Sequence, residues 1–363
     1  MPGGRSSSAI RRNMSVSREN IATKAVLEAG PTLGDQDSDL SGEPRPTVRL
    51  SAAVAIGILA GAFAWMMAQR AGATPDFAYP QTAARLFLDG QNPYVAMGGQ
   101  TGGVPPYDEP FFYPFTSVLL ILPLARLTTA AASGLFFGAS SALLAFFVTR
   151  DGMWRLHVFA SAPFVVAATL GQFSPLLMAM ALNPALSALS VIKPNLGLAL
   201  FVRRPTWQAA VGAAAFVAIS LIVFPGWPAD WLESLRRDVS DRQAHRVPLT
   251  QIGGFVLLLA AIAWRRAEGR LLLALSVIPQ ALFFYDQLLL WLIPRTRNES
   301  IMLTGASQLA MLLWYLFLDE GVLLVRSASP FIMTLIFLPA LVLVLLHVRT
   351  PASRATGERL RPA

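Results

Sequence analysis

The chain has no cysteine in its 363 residues, which excludes disulfides and thiolate-based metal or redox chemistry and leaves the redox compartment open. Charge is scarce as well: Asp, Glu, Lys and Arg make up 14% of the residues against 54% hydrophobic ones, with a mean hydropathy of +0.52. That balance excludes an ordinary water-soluble domain and points to a membrane protein. Lysine is nearly missing, since Lys24 and Lys193 are the only two. The histidines are His157, His245 and His347, and none stands at a metal-site spacing to Asp or Glu. No metal or other cofactor is expected. The net charge of +8 lies mostly between apolar runs, without an aromatic-interleaved basic patch, so no nucleic-acid partner is expected.

What the chain does have is apolar length. Leu50 to Gln69 is a run without charge between Arg49 and Arg70, enough to cross roughly 30 Å of hydrocarbon as a helix. Apolar segments recur at about 50–69, 112–127, 130–149, 156–170, 173–183, 185–202, 207–225, 249–264, 270–284, 287–294, 300–318 and 329–347. Several are short and interrupted by proline, which is tolerable at membrane depth only where protein or a water-filled cavity covers the broken backbone. The expected fold is all-α: a polytopic transmembrane bundle of ten to twelve spans, some broken or re-entrant.

Residues 1–47 are rich in Ser, Gly, Pro, Arg and Asp, too polar to offset chain entropy by burial, and read as a disordered cytoplasmic tail. The apolar run after them starts too late and is too long for a cleavable signal. Residues 48–348 form the membrane domain, and 349–363 a C-terminal cytoplasmic tail. Orientation follows the arginine bias: the N-terminal tail, Arg203/Arg204, Arg265/Arg266, Arg295/Arg297 and the tail from Arg349 are expected on the cytoplasmic side of a plasma membrane. Residues 71–111 then lie outside. If every segment crosses, Arg150 and Arg155 fall on the less favoured side.

The outer loop carries the first candidate chemistry. Asp76 follows the first span closely, ahead of a stretch in which Phe77, Leu86 and Phe87 could share one face of an interfacial helix. It is either a helix N-cap or a catalytic or ligand-binding acid. "DGQNPY" at 89–94 and "FFYP" at 111–114 read alone as a turn signal and an aromatic belt. Lys193 lies inside an apolar segment beside Pro194, and an intramembrane cation usually faces a cavity or an anion unless it snorkels to the interface. The loop at 227–248 offers Arg236, Arg237, Arg242, His245 and Arg246 to phosphates or anionic headgroups, or forms a solvated helix.

In order along the chain, Asp76, "RLFLDGQNPY" at 85–94, "FFYP" at 111–114, "LPLARL" at 122–127, Gly171-Gln172 and "VIKPNLGLALFVRR" at 191–204 resemble glycosyltransferase family 87. These are membrane mannosyltransferases of the GT-C class. The resemblance runs from about residue 48 to 205 and continues more weakly to about 348. It implies transfer of a mannose-like hexose from a polyprenyl-phosphate donor to a lipid or glycan acceptor on the outer face. By that resemblance Asp76 is the base that deprotonates the acceptor. Lys193, Arg242 and His245 are candidates for the donor phosphate, and Asn92, Tyr94, Tyr113, Gln172 and Asp286 for substrate binding. The chain departs from the family at Phe115, where a second proline is usual, and at Tyr285-Asp286-Gln287, where a histidine-bearing motif is expected. A transporter or a non-catalytic accessory subunit of envelope glycan assembly is the rival class. A transporter would show repeat-related broken segments in its two halves, and no convincing internal repeat is present.

Overall fold

The computed structural model describes residues 44–70, 76–97, 110–241, 245–318 and 324–349. Most of the N-terminal tail, residues 350–363 of the C-terminal tail, Arg242 and the loop stretches 71–75 and 98–109 lie outside the described residues. The described part is helical. In chain order the α-helices are α1 Pro46–Ala68, α2 Ala78–Leu88, α3 Pro93–Ala96, α4 Phe115–Ile121, α5 Thr129–Val148, α6 Ala162–Leu170 and α7 Ser174–Leu182. They continue as α8 Pro194–Arg203, α9 Trp207–Val223, α10 Trp227–Asp241, α11 Ala267–Val277, α12 Arg297–Leu316, α13 Leu324–Ile332 and α14 Leu338–Arg349. Tighter helical turns fill Met153–Ala160, Pro184–Ile192, Gly254–Ala263 and Tyr285–Leu292. The strands are two residues each: β1, His245–Arg246, pairs antiparallel with β2, Gln280–Ala281.

Among the described residues three helices are long and apolar enough to cross a membrane, or five if each of two sharply bent pairs counts as one span. The shorter pieces are where the expected prolines sit. Pro184 and Pro194 open the segments on either side of Lys193, and Pro163 opens α6. Each lacks an N–H just where a helix start leaves that donor unused.

The tightest joint is between α1 and α5, and small residues explain it. Gly57 and Gly61 on α1 face Gly134 and Gly138 on α5, so each helix carries two glycines four residues apart. A Cβ on Gly61 would come within 2.8 Å of Gly134 O, and one on Gly138 within 2.8 Å of Gly57 O. Without those methyls the backbones approach directly, the packing that substitutes for a hydrophobic driving force inside a bilayer. Elsewhere along α1, Leu50, Val54, Ile58 and Leu59 are exposed, as lipid-facing side chains would be.

That joint also fixes direction. Gly57 opposes Gly138 and Ala142 while Gly61 opposes Gly134, so the two helices are antiparallel, and Arg49 Nη2 donates to Phe146 O at 2.8 Å. Arg150 and Arg155 therefore lie at the same end as Arg49, which corrects the expectation that they fall on the less favoured side. The reason is that the apolar segment Phe115–Leu124 does not carry the chain to the other end. Arg155, Arg203, Arg204, Arg270 and Glu268 share that arginine-rich end, within electrostatic reach of one another.

Candidate functional site

Asp76 precedes α2, but it does not cap it. The cap position is Phe77 with no side-chain cap, and only the backbone carbonyl of Asp76 accepts a bond, from Tyr79 N–H at 3.2 Å. The carboxylate turns instead to Gln172, whose Nε2 donates to Asp76 Oδ2. Gly171 makes this meeting possible. It ends α6 in the left-handed conformation at φ 68°, and a Cβ there would stand 2.7 Å from Ser133 Oγ and 2.8 Å from Phe77 Cβ. Only glycine fits both constraints. Phe77 N–H donates to Leu170 O at 3.1 Å, and its ring stacks on Phe136 at 5.2 Å. The chain ahead of α2 is thereby clamped to the end of α6.

Burial pushes the Asp76 carboxyl up to about 6 from an ordinary 3.8, against the pull of the Lys193 charge and the Gln172 bond and with a further push from Asp286. Tyr113 is beside it, its hydroxyl held well above its usual value by burial and by the charges of Asp76 and Asp286. The Tyr113 ring packs edge-on against Phe173 at 5.6 Å.

Lys193 is the cation of the site. Pro194 starts α8 and leaves Lys193 at the junction between two helical pieces, 7% exposed. Its Nζ lies 2.6 Å from Asp286 Oδ1 and 4.9 Å from the centroid of the Tyr285 ring. Asp286 is fully buried, and its other oxygen accepts from Ala281 N–H at 3.0 Å. Phe284, at φ 64°, takes a backbone conformation that is strained for a bulky side chain, in the turn that delivers Tyr285 and Asp286. Gln287 Nε2 braces the turn by donating to Gln280 Oε1 at 2.9 Å and Ala281 O at 3.1 Å.

Asp76, Tyr113, Gln172, Lys193 and Asp286 thus come together, although up to 210 residues separate them (286 − 76). Asn92 and Tyr94 stand one step back. Asn92 Oδ1 caps α3 by accepting from Tyr94 N–H at 3.0 Å, and its Nδ2 donates to Asp230 Oδ2 at 2.8 Å. Tyr94 is buried, and its hydroxyl donates to Tyr113 O at 3.0 Å. Trp231 Nε1 donates to the neighbouring Phe112 O at 2.7 Å. Tyr94 and Trp231 therefore hold two successive carbonyls, those of Tyr113 and Phe112. Arg242 lies outside the described residues, and the His245 backbone pairs in β1 opposite Ala281.

The remaining motif pieces lock to one another rather than to the site. Arg85 donates to Ala125 O and Leu127 O at 2.7 Å each, Gln81 Nε2 to Leu127 O at 2.9 Å, and Arg126 pairs with Asp89 at 2.7 Å. Phe115 fills an aromatic cluster between Phe87 at 4.7 Å and Phe224 at 5.3 Å. Tyr285 against Lys193, and the pairing of Lys193 with Asp286 itself, are features that sequence reasoning missed. The signal was present: a buried ammonium needs a counter-ion, and Asp286 is the acid lying among late apolar segments. Among the described residues no group of three His, Asp or Glu could hold a metal ion.

The fold and the site together define an all-α bundle with helices apolar and long enough to cross a membrane, and a charged, tyrosine-lined cluster assembled from five parts of the chain. Comparison with known proteins adds no relative: no family model, curated protein or solved structure matches the chain.

Proposed function

We propose that this chain is a membrane glycosyltransferase of GT-C type. It moves a mannose-like hexose from a polyprenyl-phosphate donor to a lipid or glycan acceptor at the outer face of the plasma membrane. The observation that carries the reading is the state of Asp76: a half-buried acid released from capping, oriented by Gln172, with a carboxyl pushed up to about 6. A general base works best with a pKa near the working pH, and a carboxylate that only capped a helix would be turned to the backbone. Gln172 Oε1 is buried without a hydrogen-bond partner, an acceptor suited to a sugar hydroxyl. Lys193 spends one of its three N–H donors on Asp286, and the other two serve the donor phosphate as the leaving charge develops. Arg242 and His245 belong to the loop that would approach the same phosphate from outside.

In this reading the site end faces outward and the arginine-rich end faces the cytoplasm, as the bias of basic residues requires. The ten to twelve spans then include short, broken segments around Lys193. The reaction breaks the bond between the sugar's anomeric carbon and the phosphate oxygen and joins that carbon to the acceptor oxygen. The acceptor's proton goes to Asp76, and the polyprenyl phosphate leaves with the bonding pair. The test is direct: membranes holding the full chain, given a polyprenyl-phosphate mannose and a glycan acceptor, release free polyprenyl phosphate. No release from mannose or other hexose donors contradicts the proposal.

A further inference from the structure

We infer that the arginine-rich end carries a second anion site, separate from Asp76, in which Arg203, Arg204 and Arg155 hold the phosphate of an anionic phospholipid headgroup. The acids nearby are already committed. Glu268 accepts from Arg295 Nε at 3.0 Å and Nη2 at 2.8 Å, while Glu299 accepts from Arg295 N–H at 2.6 Å and pairs with His347 at 3.1 Å. Among the described residues no carboxylate lies within ion-pair distance of Arg203 or Arg204, and Arg155 reaches only Asp151, at 3.4 Å.

Arg203 is the unusual member. It is 7% exposed, its Nη1 donates to Ala181 O at 3.1 Å, and its Nε has no partner. Arg155 Nε is likewise buried and unpartnered. A guanidinium presents five donors in a planar fork that matches phosphate oxygens, so buried donors left idle mark an anion's place. The cluster is also held rigidly. Arg270 donates to Val202 O at 3.0 Å and to Arg203 O at 2.8 Å, fixing the end of α8 on which Arg203 and Arg204 stand.

The apolar surroundings indicate a lipid as the source of that phosphate. Leu198 is 53% exposed, Trp207 71% and Val211 57%, flanking Arg204 along α8 and α9. A headgroup at the level of Arg204 and Trp207 would lay its acyl chains along that surface, and basic sites between membrane helices favour anionic headgroups in this way.

Binding to the purified full chain in a neutral detergent tests the inference, with phosphatidylglycerol, phosphatidylcholine and inorganic phosphate as probes. Saturable binding of phosphatidylglycerol, weak binding of phosphatidylcholine, and a loss of about fivefold in affinity for Arg204→Gln are expected. Arg203→Gln removes a buried group and risks misfolding, so the exposed Arg204→Gln and the partly exposed Arg155→Gln decide the outcome. Unchanged phosphatidylglycerol affinity in both variants overturns the site. Inorganic phosphate binding as tightly as the lipid, and displacing it, overturns the lipid assignment and leaves a site for free phosphate.

Discussion

Replacing Asp76 by asparagine should make the protein more stable at pH 8, and the structure sets how much. The carboxyl is pushed from 3.8 to about 6, with burial as the largest cause. The folded protein therefore holds this proton more tightly than the unfolded chain does. Stability from this group is full below pH 3.8 and is lost as pH rises through about 6. The loss is about 3 kcal/mol once the group is ionised in both states, at 1.36 kcal/mol for each factor of ten in proton affinity. Asparagine fits the same space and can still accept from Gln172 Nε2 through its carbonyl, but it never ionises. Unfolding of the full chain in neutral detergent, followed by tryptophan fluorescence at pH 4 and pH 8, isolates the effect as the difference between parent and variant. Parent and Asp76→Asn should match near pH 4 and diverge in favour of the variant by up to about 3 kcal/mol at pH 8. An Asp76→Asn protein that loses stability equally at both pH values would refute the reasoning and make Asp76 a structural acid.

Other perturbations probe the ion pair, the helix joint and the orientation. Lys193→Met strands the buried Asp286 and should cost about 3–5 kcal/mol, whereas Lys193→Met with Asp286→Leu should recover most of it; additive losses in that double-mutant cycle would contradict the pairing. Gly61→Leu should cost about 1–3 kcal/mol or abolish folding by forcing α1 from α5, while Gly305→Ala, where nothing lies within 4 Å of the new Cβ, should unfold no earlier than the parent. Because the chain has no cysteine, single cysteines report orientation cleanly: an impermeant maleimide on intact cells should label Gln91→Cys and not Asn298→Cys, and the reverse pattern would invert the proposed topology.

The sequence made the helical class and the nucleus of the site readable for definite reasons. Long uncharged runs have few solutions other than helices, and a lone lysine among apolar residues at Lys193 announces itself. What it concealed was pairing. Nothing local says that Gln172 rather than a backbone amide receives Asp76, because that depends on the left-handed turn at Gly171 and its contact with Phe77. Asn92 and Tyr94 read as site residues because they share a motif with site neighbours, yet their hydrogen bonds serve α3, α10 and the Tyr113 backbone. Crossing number was obscured for a similar reason. Phe115–Leu124 is as apolar as a span but short, and only the antiparallel glycine joint between α1 and α5 reveals that the chain does not change ends there. Both glycine pairs were visible in the sequence at four-residue spacing, and their reading as a packing surface would have placed Arg150 beside Arg49.

The most direct measurement is polyprenyl-phosphate release from a polyprenyl-phosphate mannose by the parent, Asp76→Asn and Asp89→Asn proteins, compared at equal amounts of folded protein. Asp89 is the control, since it lies in the same outer stretch but pairs with Arg126 at the surface. Release by the parent should rise with pH through about 6 as Asp76 ionises. Asp76→Asn should lose about 10² to 10⁴ in rate, and Asp89→Asn should release at a near-parental rate. Equal release by Asp76→Asn and the parent, or none from the parent with any hexose donor, would contradict the proposed mechanism.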